Sequence, residues 1–296
     1  SYEHDGITGI SHMLEHMMFK GTEQLAPGEF SRIISTNGGR ENAFTGDDYT
    51  AYFQSLEQSR LEISLELEAD RMRHLKLDQG EFAKEREVVL EERRMRTDDQ
   101  PRAKTSEHFA AMAFSNRPYK NPVIGWPEDI KGYQLSDLQN WYSLWYAPNN
   151  ATLVVVGDVQ PDAVRDLAQK HFGGLTTSQL PELKARTEVD QVGLRRMTIK
   201  LPAKLPFLLM GYKVPVLKGA TEDWEAYALE VLSGILDGGN STRLASRLVR
   251  GKQMAAETSV GYDLYSRLPT LFTVAAVPVQ GRTPAMLEQA LRDEIR

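Results

Sequence analysis

Residues 9–19 read Gly9-Ile-Ser-His12-Met-Leu-Glu15-His16-Met-Met-Phe19, with Gly21 two positions beyond. Apolar residues at 10, 13, 14, 17 and 18 recur with the period of an α-helix, and the glycine closes it. At about 100° per residue, His12 and His16 stand about 40° apart on one helix face. Two neutral imidazoles one turn apart can hold a single Zn²⁺. Glu15 lies about 60° to the other side of His12, close enough to reach a water at such a metal. H-x-x-E-H is the inverted zincin order, with the acid beside the second histidine. The same helix carries core-type side chains, so a histidine pair merely hydrogen-bonded to its neighbours stays open on these residues alone.

The segment Glu81–Arg96 offers a third ligand. Set Glu85 at zero on a helical wheel. Phe82 then falls at about +60°, Val89 at about +40°, Val88 at about −60° and Glu92 at about −20°. Glu87, Glu91 and Arg94 point away. Glu85 and Glu92 thus share the apolar face, two turns apart. A buried carboxylate is costly unless a cation or hydrogen bonds compensate it. Beside an H-x-x-E-H helix, one metal ligand and one supporting carboxylate are expected. Salt bridging to Lys or Arg on a neighbouring helix is the other way to satisfy them.

Working outward, 296 residues with 41% apolar and 26% charged side chains are the make-up of a soluble globular chain of two domains. A net charge of −6 argues against broad nucleic-acid binding, which needs a basic footprint. No apolar run is long enough for a transmembrane segment. There is no cysteine, so any metal site must be built from His, Asp and Glu. No signal or transit peptide opens the chain. Both ends are expected to be truncated, because the chemistry begins by residue 12 and the chain stops inside the helical pattern Pro284–Arg296.

Helices are expected at 9–19, 27–35, 58–75, 79–96, 101–114, 135–146 and 161–172, with strands at 50–56 and 151–157. The polar stretch 175–193, with Pro181, is the best linker. Beyond it strands are expected near 196–201, 207–213, 259–265 and 271–278, and helices at 222–236, 242–250 and the C-terminal end. Strands bunched and helices bunched indicate α+β architecture. The expected domains are 1–183, zinc-binding and catalytic, and 184–296, structurally related to it.

The ordered set of motifs resembles the pitrilysin/insulinase family of inverted zincins, in the branch that includes mitochondrial processing peptidase and bacterial zinc proteases. In that family the third ligand is a Glu that follows the second His at a long, characteristic interval, and Glu92 stands at that interval from His16 (92 − 16 = 76). Further matches are Asn42-Ala43-Phe44-Thr45 with Asp48-Tyr49-Thr50-Ala51-Tyr52-Phe53, Arg117-Pro118-Tyr119 through Gly125-Trp126, and Trp145-Tyr146-Ala147-Pro148-Asn149-Asn150. The resemblance covers essentially the whole chain. It implies two related domains of LuxS/MPP-like metallohydrolase type, each a mostly antiparallel sheet packed with helices. It implies Zn²⁺ held by His12, His16 and Glu92, with Glu15 as catalytic base and Glu85 supporting the ligands. It also implies an endopeptidase whose extended peptide substrate lies along Asn42-Ala43-Phe44 as an added strand. A metal-free scaffold subunit, known in the same family, is the alternative.

One departure from the family bears on partners. The family's second half supplies an Arg and, two helical turns on, a Tyr that hold substrate. Arg250 matches the first, but Glu257 occupies the tyrosine position, and the next tyrosine is Tyr262. A carboxylate there would repel a developing oxyanion. The expected partner is a related zinc-less subunit that supplies the Arg–Tyr pair. A homodimer using Tyr262 or Tyr265 is the alternative. The expected compartment is the bacterial periplasm or cell envelope, with the mitochondrial matrix as the alternative.

Overall fold

The structure, a computed structural model, describes residues 1–184 and 186–296, and Asp223 by its backbone alone; Ala185, inside the expected linker, lies outside the described residues. By packing, the described residues fall into two compact units, Ser1–Arg96 with Asn116–Thr187, and Thr97–Ser115 with Glu188–Arg296. The helix of residues 101–113, which a boundary after residue 183 would assign to the first domain, therefore groups with the second unit. No helix among the described residues is long and apolar enough to cross a membrane.

The first unit is built around α1 (Ile10–Met17). Ile10, Met13, Leu14 and Met17 are fully buried against Phe82 and Val89 of α4 (Gln79–Arg93), Ile130 of α6 (Pro127–Gly132), and Leu138 of α7 (Leu135–Trp145). Gly9 starts α1 with φ 83°, and a Cβ there would lie 2.4 Å from the Ile124 carbonyl oxygen and 2.5 Å from Gly125 Cα. Only glycine tolerates both the backbone angle and that approach. Thr8 fixes the same end: its hydroxyl donates to Asp129 Oδ2 at 2.5 Å and accepts from the Trp126 N–H at 3.0 Å.

Around this centre lie α2 (Glu29–Thr36), α3 (Leu61–His74), α8 (Pro161–Phe172) and an antiparallel hairpin of β1 (Arg40–Thr45) and β2 (Thr50–Ser55). Its register runs from Arg40↔Ser55 to Thr45↔Thr50, closed by Gly46 N–H donating to the Tyr49 carbonyl. Arg71 of α3 is 1% exposed, with its guanidinium over the rings of Phe30 and Tyr52 at 4.4 Å each and Phe19 at 5.3 Å. Desolvating that charge is offset by the ring faces and by Glu68, which accepts from it.

The second unit is a three-stranded antiparallel sheet in the order β3-β5-β4: β3 (Leu208–Val214), β4 (Ala255–Gly261) and β5 (Thr270–Pro278). Met210, Phe272, Val274 and Ala276 cluster with Leu236 of α9 (Asp223–Asp237), Leu248, and Leu287 and Leu291 of α10 (Pro284–Ile295). On the other face α5 (Pro101–Ala113) brings the Phe109 ring over Gly211, where a Cβ would meet it at 2.8 Å.

Four expectations differ, the first being the strand expected near 259–265, which is β4 four residues earlier. Residues 151–157 form no ladder among the described residues, and Val154 and Val156 are 73% and 92% exposed. Their β-branched content suits a buried strand, but a strand needs a hydrogen-bonded neighbour. Here they border a groove of about 1390 Å³ that runs to β2 and is walled by Tyr52, Trp141, Trp145 and Tyr146. Residues 196–201 likewise join no strand. The helix expected at 242–250 is instead a π-helical turn, Ala245–Gly251. The α+β class itself holds, with two small antiparallel sheets.

Candidate metal centre

His12, Glu15 and His16 leave α1, while Glu85 and Glu92 leave α4, and the packing of those two helices brings all five together. Glu92 Oε2 lies 3.7 Å from His12 Nε2 and 3.2 Å from His16 Nε2. The edge of a tetrahedron whose ligands sit about 2.0–2.1 Å from its centre is about 3.3 Å. Among the described residues, His12, His16 and Glu92 form a group of potential ligands whose donor atoms all lie within 4.8 Å of one another. The donor set, two imidazoles and one carboxylate, is that of a zinc with an open fourth position.

The two imidazoles are electrostatically unlike. Burial, then the neighbouring His16 and Arg96, push His12 down to about 3, so it is neutral with a lone pair to give. Its Nδ1 is buried without a partner among the described residues. Burial also pulls His16 down, but the Glu85 hydrogen bond and the charges of Glu92, Glu85 and Glu15 outweigh it and raise its pKa. Glu85 Oε1 holds His16 Nδ1 at 2.9 Å and Oε2 meets Lys20 Nζ at 2.6 Å. Burial raises the Glu85 carboxyl, but His16 and Lys20 bring it below its ordinary value. Glu85 thus contacts a histidine through one oxygen and a lysine through the other.

Glu92 is more open than Glu85 and its second oxygen accepts from Arg96 at 2.8 Å. Glu91 is exposed as the wheel requires, whereas Val88 is 48% exposed despite its place near the apolar face. Glu15 is half-buried; burial raises its pKa, partly offset by the Thr45 hydroxyl, which donates to Oε2 at 2.5 Å.

Asn42, Ala43 and Phe44 lie on β1, whose described ladder is with β2 alone, so its other edge is open. The Ala43 N–H is taken up by Asn42 Oδ1 at 2.9 Å, and Phe44 is 45% exposed with its ring edge-on to Tyr49. Arg250 belongs to the second unit, where it is exposed and donates to Ser246 Oγ. Glu257 forms an ion pair with Arg102. The Tyr262 hydroxyl donates to the Pro215 carbonyl at 2.8 Å, while Tyr265 is 79% exposed.

Three neighbours of the site escaped the sequence reading: Lys20, Thr45 and Arg96. Lys20 follows His16 by four, just beyond the end of α1 at Met17, an interval that was there to find. Arg96 follows Glu92 by the same interval. Thr45 stands in a motif quoted above, but its bond to Glu15 joins distant segments and exists only through tertiary packing.

Residues 1–126 match the family model described as Insulinase (Peptidase family M16), and residues 133–296 match that described as Peptidase M16 inactive domain. The zinc protease PqqE of Helicobacter pylori is 38% identical over 295 residues, covering 98% of this chain; the chain spans 64% of that protein's length. The crystal structure of a protease from Helicobacter pylori superposes with a TM-score of 0.90 at 36% identity, covering 99% of this chain and 69% of the other. The mitochondrial-processing peptidase subunit beta of Lentinula edodes is 29% identical over 179 residues, which is 60% of this chain and 38% of that protein. With the two domain models laid end to end along it and a zinc protease aligned over nearly its whole length, the chain belongs to the M16 (insulinase) peptidase family.

Proposed function

We propose that this chain is the zinc-bearing subunit of an endopeptidase that cuts extended peptides or unfolded polypeptide. The observation that carries it is the meeting of Glu92 Oε2 with His12 Nε2 and His16 Nε2 at the edge lengths of a zinc tetrahedron, with Glu15 adjacent on the same helix. His12, His16 and Glu92 would hold the metal, and Glu85 orients His16 through Nδ1. Zinc bound there supplies Lewis acidity, acidifying water and polarising a peptide carbonyl. Glu15 takes the proton of the attacking water and returns it to the departing amine nitrogen. The open edge of β1 at Asn42-Ala43-Phe44 offers backbone groups to a peptide lying as an added strand, a mode that tolerates many side chains.

None of the ligands or the base lies in residues 133–296, the part whose matching model is described as inactive. A related zinc-less subunit is proposed to supply an Arg–Tyr pair. Glu257 is engaged with Arg102 and the Tyr262 hydroxyl with Pro215, so neither offers a free phenol beside Arg250.

Glu15→Gln tests the reading. The variant should bind zinc as the parent does and fail to cleave a quenched peptide, and chelator should abolish parental cleavage. Normal turnover by Glu15→Gln removes Glu15 from the base role. A parental protein that takes up no zinc returns the chain to the scaffold alternative. Full activity of the purified chain alone would sink the heteromeric partner.

A further inference from the structure

The carboxylate proposed as base is tied to two threonine hydroxyls at the end of the β1–β2 hairpin. Thr45 Oγ1 lies 2.5 Å from Glu15 Oε2 and 3.1 Å from Thr50 Oγ1 across the end of the β1–β2 hairpin. Separately, the Tyr146 hydroxyl is 2.7 Å from that of Tyr52. The Tyr52 ring lies in turn under the buried Arg71 guanidinium at 4.4 Å.

Counting hydrogens fixes the direction of both threonine bonds. An ionised carboxylate only accepts, so the single Thr45 hydrogen goes to Glu15. Thr45 must then accept from Thr50. Two hydroxyls therefore point one way, Thr50 polarising Thr45 toward the carboxylate. Both tyrosines keep their hydrogens at neutral pH, because burial raises both, Tyr146 to about 12.

We propose that Thr45 is the positioning residue of Glu15: its hydroxyl pins Oε2 and so directs Oε1 toward the space bounded by His12, His16 and Glu92, with Thr50 orienting that hydroxyl. The inference rests on Glu15 being the base. It goes further in tying the base to β1, the strand that carries Asn42-Ala43-Phe44, so that substrate edge and base move as one body. Thr45 itself touches no reacting atom.

The test uses the full chain, with Thr45→Val, which keeps the β-branched shape without the donor, and Thr45→Ser, which keeps the donor. In metal-free protein, the denaturation midpoint should fall in Thr45→Val, stay near parental in Thr45→Ser, and fall clearly less on Thr45→Val once Glu15 is alanine. With zinc, kcat on a quenched peptide should fall about 10- to 100-fold in Thr45→Val with KM unchanged. Thr45→Ser should recover most of it, and zinc affinity, measured by chelator competition, should match the parent throughout. The loss should be smaller in Thr50→Val, which removes only the donor to Thr45. A Thr45→Val midpoint shift that persists unchanged in the Glu15→Ala background overturns the proposal, as does parental kcat in Thr45→Val or a loss that Thr45→Ser shares. Full activity of Glu15→Gln instead removes the base assignment, while the metal-free cycle still reports whether Thr45 and Glu15 are coupled.

Discussion

Replacing Glu85 separates its two partners. Its carboxylate is 6% exposed and serves His16 Nδ1 through one oxygen and Lys20 Nζ through the other. Removing one member of a buried ion pair costs about 3–5 kcal/mol when the remaining charge is trapped. The Lys20 side chain is 28% exposed and can turn its ammonium to water, so for Glu85→Ala about 1–3 kcal/mol of metal-free stability is expected. Loss of the carboxylate that orients a ligating histidine lowers metal affinity by about 10- to 100-fold. At a free zinc concentration about 100 times the parental Kd, the metal should add about 2.7 kcal/mol to the parent. In the variant the same concentration is only about one to ten times Kd, and the gain falls to about 0.4–1.4 kcal/mol. Denaturant unfolding with and without zinc, plus chelator competition for affinity, measures both quantities. Glu85→Gln, which keeps an acceptor for His16 but no charge for Lys20, should fall between parent and Glu85→Ala. If Glu85→Ala loses stability but keeps parental zinc affinity, the carboxylate is a salt-bridge partner of Lys20 and nothing more. If it loses neither, the assignment of Glu85 to the site is wrong.

Two other perturbations test what holds the frame. Gly9→Ala sets a Cβ against the backbone of Ile124 and Gly125 at positive φ, and should cost at least about 1–3 kcal/mol in denaturant unfolding; an unchanged midpoint would show that the start of α1 is not held there. Glu294, buried in the second unit, is raised by burial but carried below its ordinary value by Lys252 and Arg247. A depressed folded pKa gives stability that is present above the unfolded Glu value of about 4.3 and vanishes as pH falls through the folded one. Acid unfolding should therefore begin below about pH 4.3, and Glu294→Gln should be less stable near neutrality but less acid-sensitive, as read from denaturant midpoints across pH.

The part of this protein that its sequence discloses is the part written in helical periodicity. His12, Glu15 and His16 lie within two turns, and Glu85 and Glu92 are two turns apart, so one wheel per helix sorts them from their exposed neighbours. Relations that depend on which segments touch are silent at that level. Thr45 reaches Glu15 only because β1 packs on α1. The same limit explains Ala151–Gly157, whose valines advertise burial locally while pairing is decided elsewhere. Arg71 reads as a surface cation of α3 and is among the most buried side chains, because three aromatic residues from other segments close over it.

Glu85 and Glu92 engage the two nitrogens of a single ring. Two turns of helix separate their Cα atoms by about 10.5 Å, yet Glu85 meets His16 Nδ1 and Glu92 meets His16 Nε2. The two carboxylates can converge only if α1 crosses α4 between them and both side chains lean toward the crossing. The crossing is held by apolar contacts on the same faces, Met13, Leu14 and Met17 of α1 against Phe82 and Val89 of α4. A one-residue slip of α4 would turn it by about 100° and carry both carboxylates away together. Regular α-helix is therefore required from Glu85 to Glu92, and it persists through Arg93 before the wider π-helical turn Arg94–Asp98 begins. Arg96, on that turn, returns to the other oxygen of Glu92, so the widening starts only beyond both carboxylates. The geometry of the candidate centre is in this sense a property of the hydrophobic core, and the substitutions that damage it most readily are apolar ones that let α1 and α4 slide.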